Sequence, residues 1–201
     1  DRPSIVQIDA DGNKRKIMSV NNIIDMDVTA DNDLLITRTV HDGDGRAWSD
    51  IFQISDGNEK RLTHGQRYRT ARWKSLNTNL NKNQSKNIVA KRIIGGFSQL
   101  DLLTAKGRFI KQLWQGGLNE VIGDYSVSHN GEKLIASVKR KQQGWNLEQF
   151  DLSSYQWEKI TNTKATEGGA RYDKEDKTIV FSADYDDVFN LYRLDIASGE
   201  V

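Results

Sequence analysis

Gly169-Ala170-Arg171-Tyr172, a polar turn from Asp173 to Lys177, and Thr178-Ile179-Val180-Phe181-Ser182 follow one another directly near the C-terminal end of the chain. An acidic loop, Asp184-Tyr185-Asp186-Asp187, separates them from Leu191-Tyr192-Arg193-Leu194-Asp195-Ile196, and the turn Ala197-Ser198-Gly199-Glu200 follows. Short segments rich in β-branched and aromatic residues, divided by turn-forming residues, predict strands rather than helices.

The same order occurs three more times. First strands are expected at Met26-Asp27-Val28, Ala71-Arg72-Trp73, Tyr125-Ser126-Val127 and Ala170-Arg171-Tyr172. Second strands are expected at Leu35-Ile36, Ile88-Val89-Ala90, Leu134-Ile135-Ala136 and Ile179-Val180-Phe181. A step of 7 residues joins Val28 to Leu35, Val127 to Leu134 and Tyr172 to Ile179; from Trp73 to Ile88 it is 15, an insertion of 8. Trp48, Phe97, Trp145 and Phe189 open the third strands at separations of 49, 48 and 44 residues. Those strands end in Phe52-Gln53-Ile54, Leu100-Asp101-Leu102, Phe150-Asp151-Leu152 and Leu194-Asp195-Ile196, with fourth strands at Arg61-Leu62-Thr63 and Lys159-Ile160-Thr161. Val6-Gln7-Ile8 matches Phe52-Gln53-Ile54, and Lys16-Ile17 matches Arg61-Leu62.

A four-stranded unit repeated every 40–50 residues or so is the signature of a β-propeller, whose blades bury their faces against one another. The expected fold is therefore all-β: a propeller, or part of one, with about four antiparallel blades. The expected blades are residues 1–20 (last two strands only), 23–64, 68–116, 121–163 and 167–201 (lacking a last strand), all in one domain. A β-sandwich or an open solenoid explains the four aligned copies less well. On this reading Trp48, Trp73, Phe97, Trp145 and Phe189 pack between blades. Ends falling inside blades predict exposed apolar faces, met by a homodimer partner or by the rest of the propeller.

Tyr172 to Phe181 and Val127 to Ala136 resemble the aromatic-Ser-Pro-Asp-Gly-Lys-x-Ile-Ala-Phe stretch of the WD-like repeats of the TolB family, with His129 and Lys174 where the family has Pro. Asn190 to Ile196 and Lys159-Ile160-Thr161 resemble its Leu-Tyr-x-x-Asp-Leu and Leu-Thr stretches. The resemblance implies an extracytoplasmic bacterial propeller that binds other proteins, or the propeller part of a larger protein.

Composition narrows the partners. Lys plus Arg is 29 against 28 Asp plus Glu, and mean hydropathy is −0.69. Near-neutral charge gives no electrostatic case for nucleic acid, and no apolar run approaches a membrane span. The absence of Cys suits the cytosol and the Gram-negative periplasm alike. The compartment expected from the resemblance is periplasmic or otherwise extracytoplasmic.

No catalytic, cofactor or metal constellation stands out. His41, His64 and His129 lie at unrelated turn and loop positions. Gly-x-Ser-x-Gly and phosphate-binding glycine loops are missing from the sequence. Asp42-Gly43-Asp44-Gly45 opens like a calcium loop, but Phe52-Gln53 falls where the closing Glu belongs. It reads instead as a hairpin loop.

The loops between second and third strands share one end of a propeller with the inter-blade links. They carry His41, Asp42, Asp44 and Arg46 in the first copy, Lys139, Arg140 and Lys141 in the third, and Asp184, Asp186 and Asp187 in the last. These are the candidate binding residues for a protein or peptide, with solvated loops as the other reading. The Asn-rich insertion Leu76 to Gln84 falls in a first turn and is expected at the opposite end. Asp25, Asp27 and Asp124 are the acids expected near the channel. Three functions follow: a non-catalytic binding module, the gating propeller of a larger serine peptidase, or, with only those three acids behind it, a propeller enzyme or lectin with its site in the channel.

Overall fold

The computed structural model describes residues 3–29, 33–75, 86–141 and 143–201; the insertion Leu76 to Gln84 lies outside them. Seventeen strands, and no helix, occur among the described residues. A two-stranded ribbon, β1 (Ser4–Ile8) and β2 (Lys14–Ser19), comes first. Three four-stranded antiparallel sheets follow. They are β3 (Ile23–Val28) to β6 (Asn58–Arg61) through β4 (Leu34–His41) and β5 (Ala47–Ser55); β7 (Tyr68–Ser75) to β10 (Phe109–Gln115) through β8 (Lys86–Ile94) and β9 (Phe97–Thr104); and β11 (Val121–Val127) to β14 (Trp157–Lys159) through β12 (Lys133–Lys139) and β13 (Trp145–Asp151). The last sheet is β15 (Glu167–Tyr172), β16 (Thr178–Ala183) and β17 (Asn190–Asp195). The four larger sheets are the blades of a β-propeller, each a simple meander.

Packing passes from each blade to the next. Strand β7 lies against β3, β4 and β5, and β15 lies against β11, β12 and β13. Ala71, Trp73, Ile88, Ala90 and Leu103 of the second blade form one cluster with Leu35, Ile51 and Leu62 of the first. Ile135 and Leu147 of the third blade pack similarly on Ala170, Tyr172, Ile179 and Phe181 of the fourth. Two turn glycines permit the close approach. A Cβ on Gly131 (φ +72°) would stand 2.0 Å from the Ser75 carbonyl oxygen, and one on Gly107 (φ +79°) 2.4 Å from that of Leu62. Both neighbours are rigid backbone of the preceding blade, so no side chain fits.

Strand pairing corrects the expected register. Val28 pairs with Leu34, as Trp73 pairs with Ile88, Val127 with Leu134 and Tyr172 with Ile179. Leu34, not Leu35, is therefore the first-blade equivalent. On the third strands Ile54 and Leu103, not Phe52 and Leu100, stand level with Phe150 and Leu194. A one-residue slip turns a side chain to the opposite face, and an apolar run such as Leu34-Leu35-Ile36 fixes no phase by itself.

The aromatic expectation is corrected too. Trp73 is buried, but Trp48, Phe97 and Trp145 are only half-buried and Phe189 is exposed. Trp48 and Phe97 sit one residue out of phase with Trp145 and Phe189, at strand starts where the sheets meet solvent. The inter-blade core is built from Tyr68, Tyr125, Phe150, Phe181 and the aliphatics around them.

Equivalent positions differ at the two ends of the series. Ala71, Tyr125 and Ala170 are at most 2% exposed, but their equivalent Met26 is 48% exposed. Leu35, Val89 and Ile135 are fully buried, but Val180 is 41% exposed. Ile51, Leu100 and Leu147 are likewise buried, whereas Leu191 is 78% exposed.

Candidate functional site

The first strands β3, β7, β11 and β15 form the inner edges of the blades, and a chain of charges crosses them. Arg72 on β7 is 3% exposed and pairs with Asp25 on β3 through both terminal guanidinium nitrogens, Nη1 and Nη2. The same guanidinium donates to Asp124 Oδ1 on β11 at 2.9 Å and, through Nε, to the Tyr125 carbonyl at 2.9 Å. Asp124 Oδ2 lies 2.7 Å from Arg171 Nη1 on β15. One alternating series, Asp25–Arg72–Asp124–Arg171, thus joins all four blades. Asp27, also placed here by the sequence, instead accepts the Trp73 amide at 2.8 Å. Burial pushes its carboxyl above the usual range, against that hydrogen bond and the nearby Arg72 charge.

Lys91 on β8 lies beside this cluster, donating to the carbonyls of Ile122 and Gly123. Burial brings its ammonium down to about 8, against the pull of Asp124 and Asp25. The unfolded chain holds this proton up to about pH 10.5 and the folded chain releases it near 8. Stability is therefore expected to rise with pH across that window. Urea unfolding between pH 7.5 and 10.5 checks this: Lys91→Met should flatten the rise, and an unchanged slope would assign it elsewhere.

At the first and third links, buried acids hold the connecting segment. Asp50 is fully buried and accepts from Arg61 Nη2 (2.6 Å), Thr63 Oγ1 (2.9 Å), the Gly65 amide (2.8 Å) and the Gln66 amide (3.0 Å). Glu167 accepts from Thr161, from Thr163 Oγ1 (2.8 Å) and from Tyr185 Oη (2.8 Å). Thr63 and Thr161 are the threonines of the Leu-Thr stretches, and each hydroxyl also accepts a third-strand amide, from Ile51 or Leu147. These acids escaped the sequence reading, because Asp50 precedes its threonine by 13 residues on a third strand and Glu167 follows its own by 6 on a first strand, so no repeated pattern marks them.

The predicted rim residues fall into two groups. Asp42 holds its own loop, accepting from the Asp44 and Arg46 amides and from Trp48 Nε1 (2.9 Å). These bonds, led by that from Trp48, hold its carboxyl below the usual range. Arg140 is held by Glu120 (2.6 Å) and Glu148 (2.6 Å), and Asp184 accepts the Thr166 amide. His41, Asp44, Arg46, Lys139, Lys141, Asp186 and Asp187 are exposed. Their blades place them on one end of the propeller, in separate loops.

Apolar side chains are interleaved with them, a feature the sequence reading missed. Ile93 and Ile94 end β8, Leu118 (80% exposed) tops the link to β11, and Val188 and Phe189 (61% and 60%) lie in the last rim loop. A crease of about 430 Å³ is lined by Asn119, Val121, Lys139, Arg140 and Lys141. No group of three or more His, Cys, Asp or Glu side chains that could hold a metal occurs among the described residues.

No protein-family model and no curated protein matches the chain. Solved structures do. TolB from Acinetobacter baumannii is 16% identical with a TM-score of 0.73, over 98% of this chain and 47% of that one. A putative TolB from Agrobacterium tumefaciens is 12% identical with a TM-score of 0.66, over 94% and 64%. Puromycin hydrolase is 15% identical with a TM-score of 0.66, over 97% and 33%. The chain spans between a third and two thirds of the length of these proteins. Four meander blades in this order and this structural likeness together establish the fold of the chain as a TolB-like β-propeller.

Proposed function

We propose that the chain is a non-catalytic protein- or peptide-binding module acting through the rim that carries the inter-blade links. The observation behind this reading is the mixture of exposed Ile93, Ile94, Leu118, Val188 and Phe189 with the charged loop residues around them. Apolar anchors within a polar surround are what protein recognition uses, and balanced charge argues against a polyanion. Asp44, Arg46, Lys139, Lys141, Asp186 and Asp187 supply orientation. The compartment that suits this reading is extracytoplasmic, the periplasm of a Gram-negative cell.

The test is capture of a partner on immobilised protein. Leu118→Asp with Phe189→Asp is expected to reduce retention at least tenfold, while unfolding stability moves by only about 0.5 kcal/mol because both side chains are exposed. Equal retention by the variant would count against the rim.

The likeness to puromycin hydrolase favours a second reading, the propeller part of a larger hydrolase. The sequence of the native gene product beyond Val201 separates the two. A serine-hydrolase domain there supports the second reading, and further repeats alone support the first.

A further inference from the structure

The crease at the third blade has two walls. The link from the second blade supplies Asn119 and Val121, and the end of β12 with its loop supplies Lys139, Arg140 and Lys141. Arg140 fixes the walls to each other. Its guanidinium bonds Glu120 of the link and Glu148 of β13, each at 2.6 Å, and Glu120 also accepts the Gly117 amide at 2.7 Å. The third blade has all four of its strands and a blade packed on either side. Walls held in this way lose little freedom when a ligand enters.

Strand pairing sets the chemistry inside. Val121 stands opposite Lys139, and Lys139 opposite Trp145, so the three side chains form a row on one face of the sheet. Val121 is 36% exposed and Trp145 is half-buried. Lys139 and Lys141 are exposed, and among the described residues neither ammonium has a hydrogen bond or an ion pair. Glu120 and Glu148 are committed to Arg140. The corresponding loops differ. That of the first blade holds Asp42, Asp44 and Arg46, that of the second turns on Gly95-Gly96, and that of the fourth holds Asp184, Asp186 and Asp187. The third loop is the basic one, and the acids of the fourth repel what it attracts.

We propose that this crease is the rim subsite for an acidic, extended peptide segment. A carboxylate of the segment meets Lys139 and Lys141, and a neighbouring aliphatic or aromatic side chain seats against Val121. The inference rests on the rim reading and adds to it the chemistry of the partner.

The probe is a displayed library of random peptides, selected on the intact 201-residue chain. Enriched sequences are expected to carry Asp or Glu next to an aliphatic or aromatic residue. One of them, synthesised with capped ends, is then titrated. Lys139→Glu with Lys141→Glu should weaken it about tenfold or more, since two attractions become repulsions. Lys106→Glu with Arg108→Glu makes the same change of net charge in the β9–β10 turn, at the opposite end of the propeller, and should weaken it at most about twofold. All four side chains are exposed, so both variants keep the fold. Acidic peptides bound equally by the Lys139 and Lys141 variant would overturn the proposal. So would retention on vesicles of anionic phospholipid that the same variant abolishes, which would assign the crease to a lipid surface. Enriched peptides without acids, lost on Leu118→Asp with Phe189→Asp, would overturn the acidic subsite and leave the rim reading standing. Enrichment sensitive to neither pair, or none at all, would overturn both.

Discussion

Arg72→Ala is expected to lower the unfolding free energy by about 3–5 kcal/mol, read as a fall in the urea midpoint, because a nearly buried ion network loses its centre. The Arg72 side chain is 3% exposed and its guanidinium makes bonds to Asp25, Asp124, and the Ala71 and Tyr125 carbonyls. Removing it takes that partner from Asp25 and leaves Asp124 with Arg171 alone. Asp25 and Asp124 are 22% and 35% exposed and can regain some water, so the lower part of that range is expected. Arg72→Lys keeps the charge but loses the fork that spans two blades, and should recover less than half of the loss. A loss below about 1 kcal/mol for Arg72→Ala would mean that the charge series is not what joins the inner strands.

Asp50→Ala is expected to cost about 3 kcal/mol or more, since four donors converge on a fully buried carboxylate. The Thr63 hydroxyl, the Gly65 and Gln66 amides and Arg61 would all lose an acceptor at the link between the first and second blades. Asp50→Asn keeps the shape but only one acceptor oxygen, and should fall between wild type and Asp50→Ala in urea unfolding. Thr63→Ala should couple to Asp50→Ala in a double-mutant cycle, because the hydroxyl bridges the acid to the Ile51 amide. Additive losses would separate the two residues energetically.

Much of the fold was legible because turns and apolar pairs recur in one order. The pairing Val6 with Lys16 was readable from the match to Phe52 and Arg61 alone. Phase was harder to read. Leu34-Leu35-Ile36 is apolar on both faces, as a strand between two blades must be, so alternation could not choose between Leu34 and Leu35. The inner site was half legible. Position in the repeat placed Asp25 and Asp124 on first strands, but their common partner lies 47 and 52 residues away, a contact no local pattern encodes. Nor did the rim loops announce which residues serve the loop itself. Asp42 and Asp184 are set apart from Asp44 and Asp186 by the donors that reach them, two amides and the Trp48 indole for Asp42 and the Thr166 amide for Asp184.

The central claim is that four equivalent blades, in the observed register, are locked to one another from the inner edge outward. Amide hydrogen exchange on the intact chain tests it most directly, because protection reports the strands one residue at a time. Slow exchange is predicted at Ile36, Ala90, Ala136 and Phe181, the equivalent residues of the four second strands. Arg72→Ala should speed all four together. Loop-like exchange at any one of them in the wild-type chain would contradict the claim.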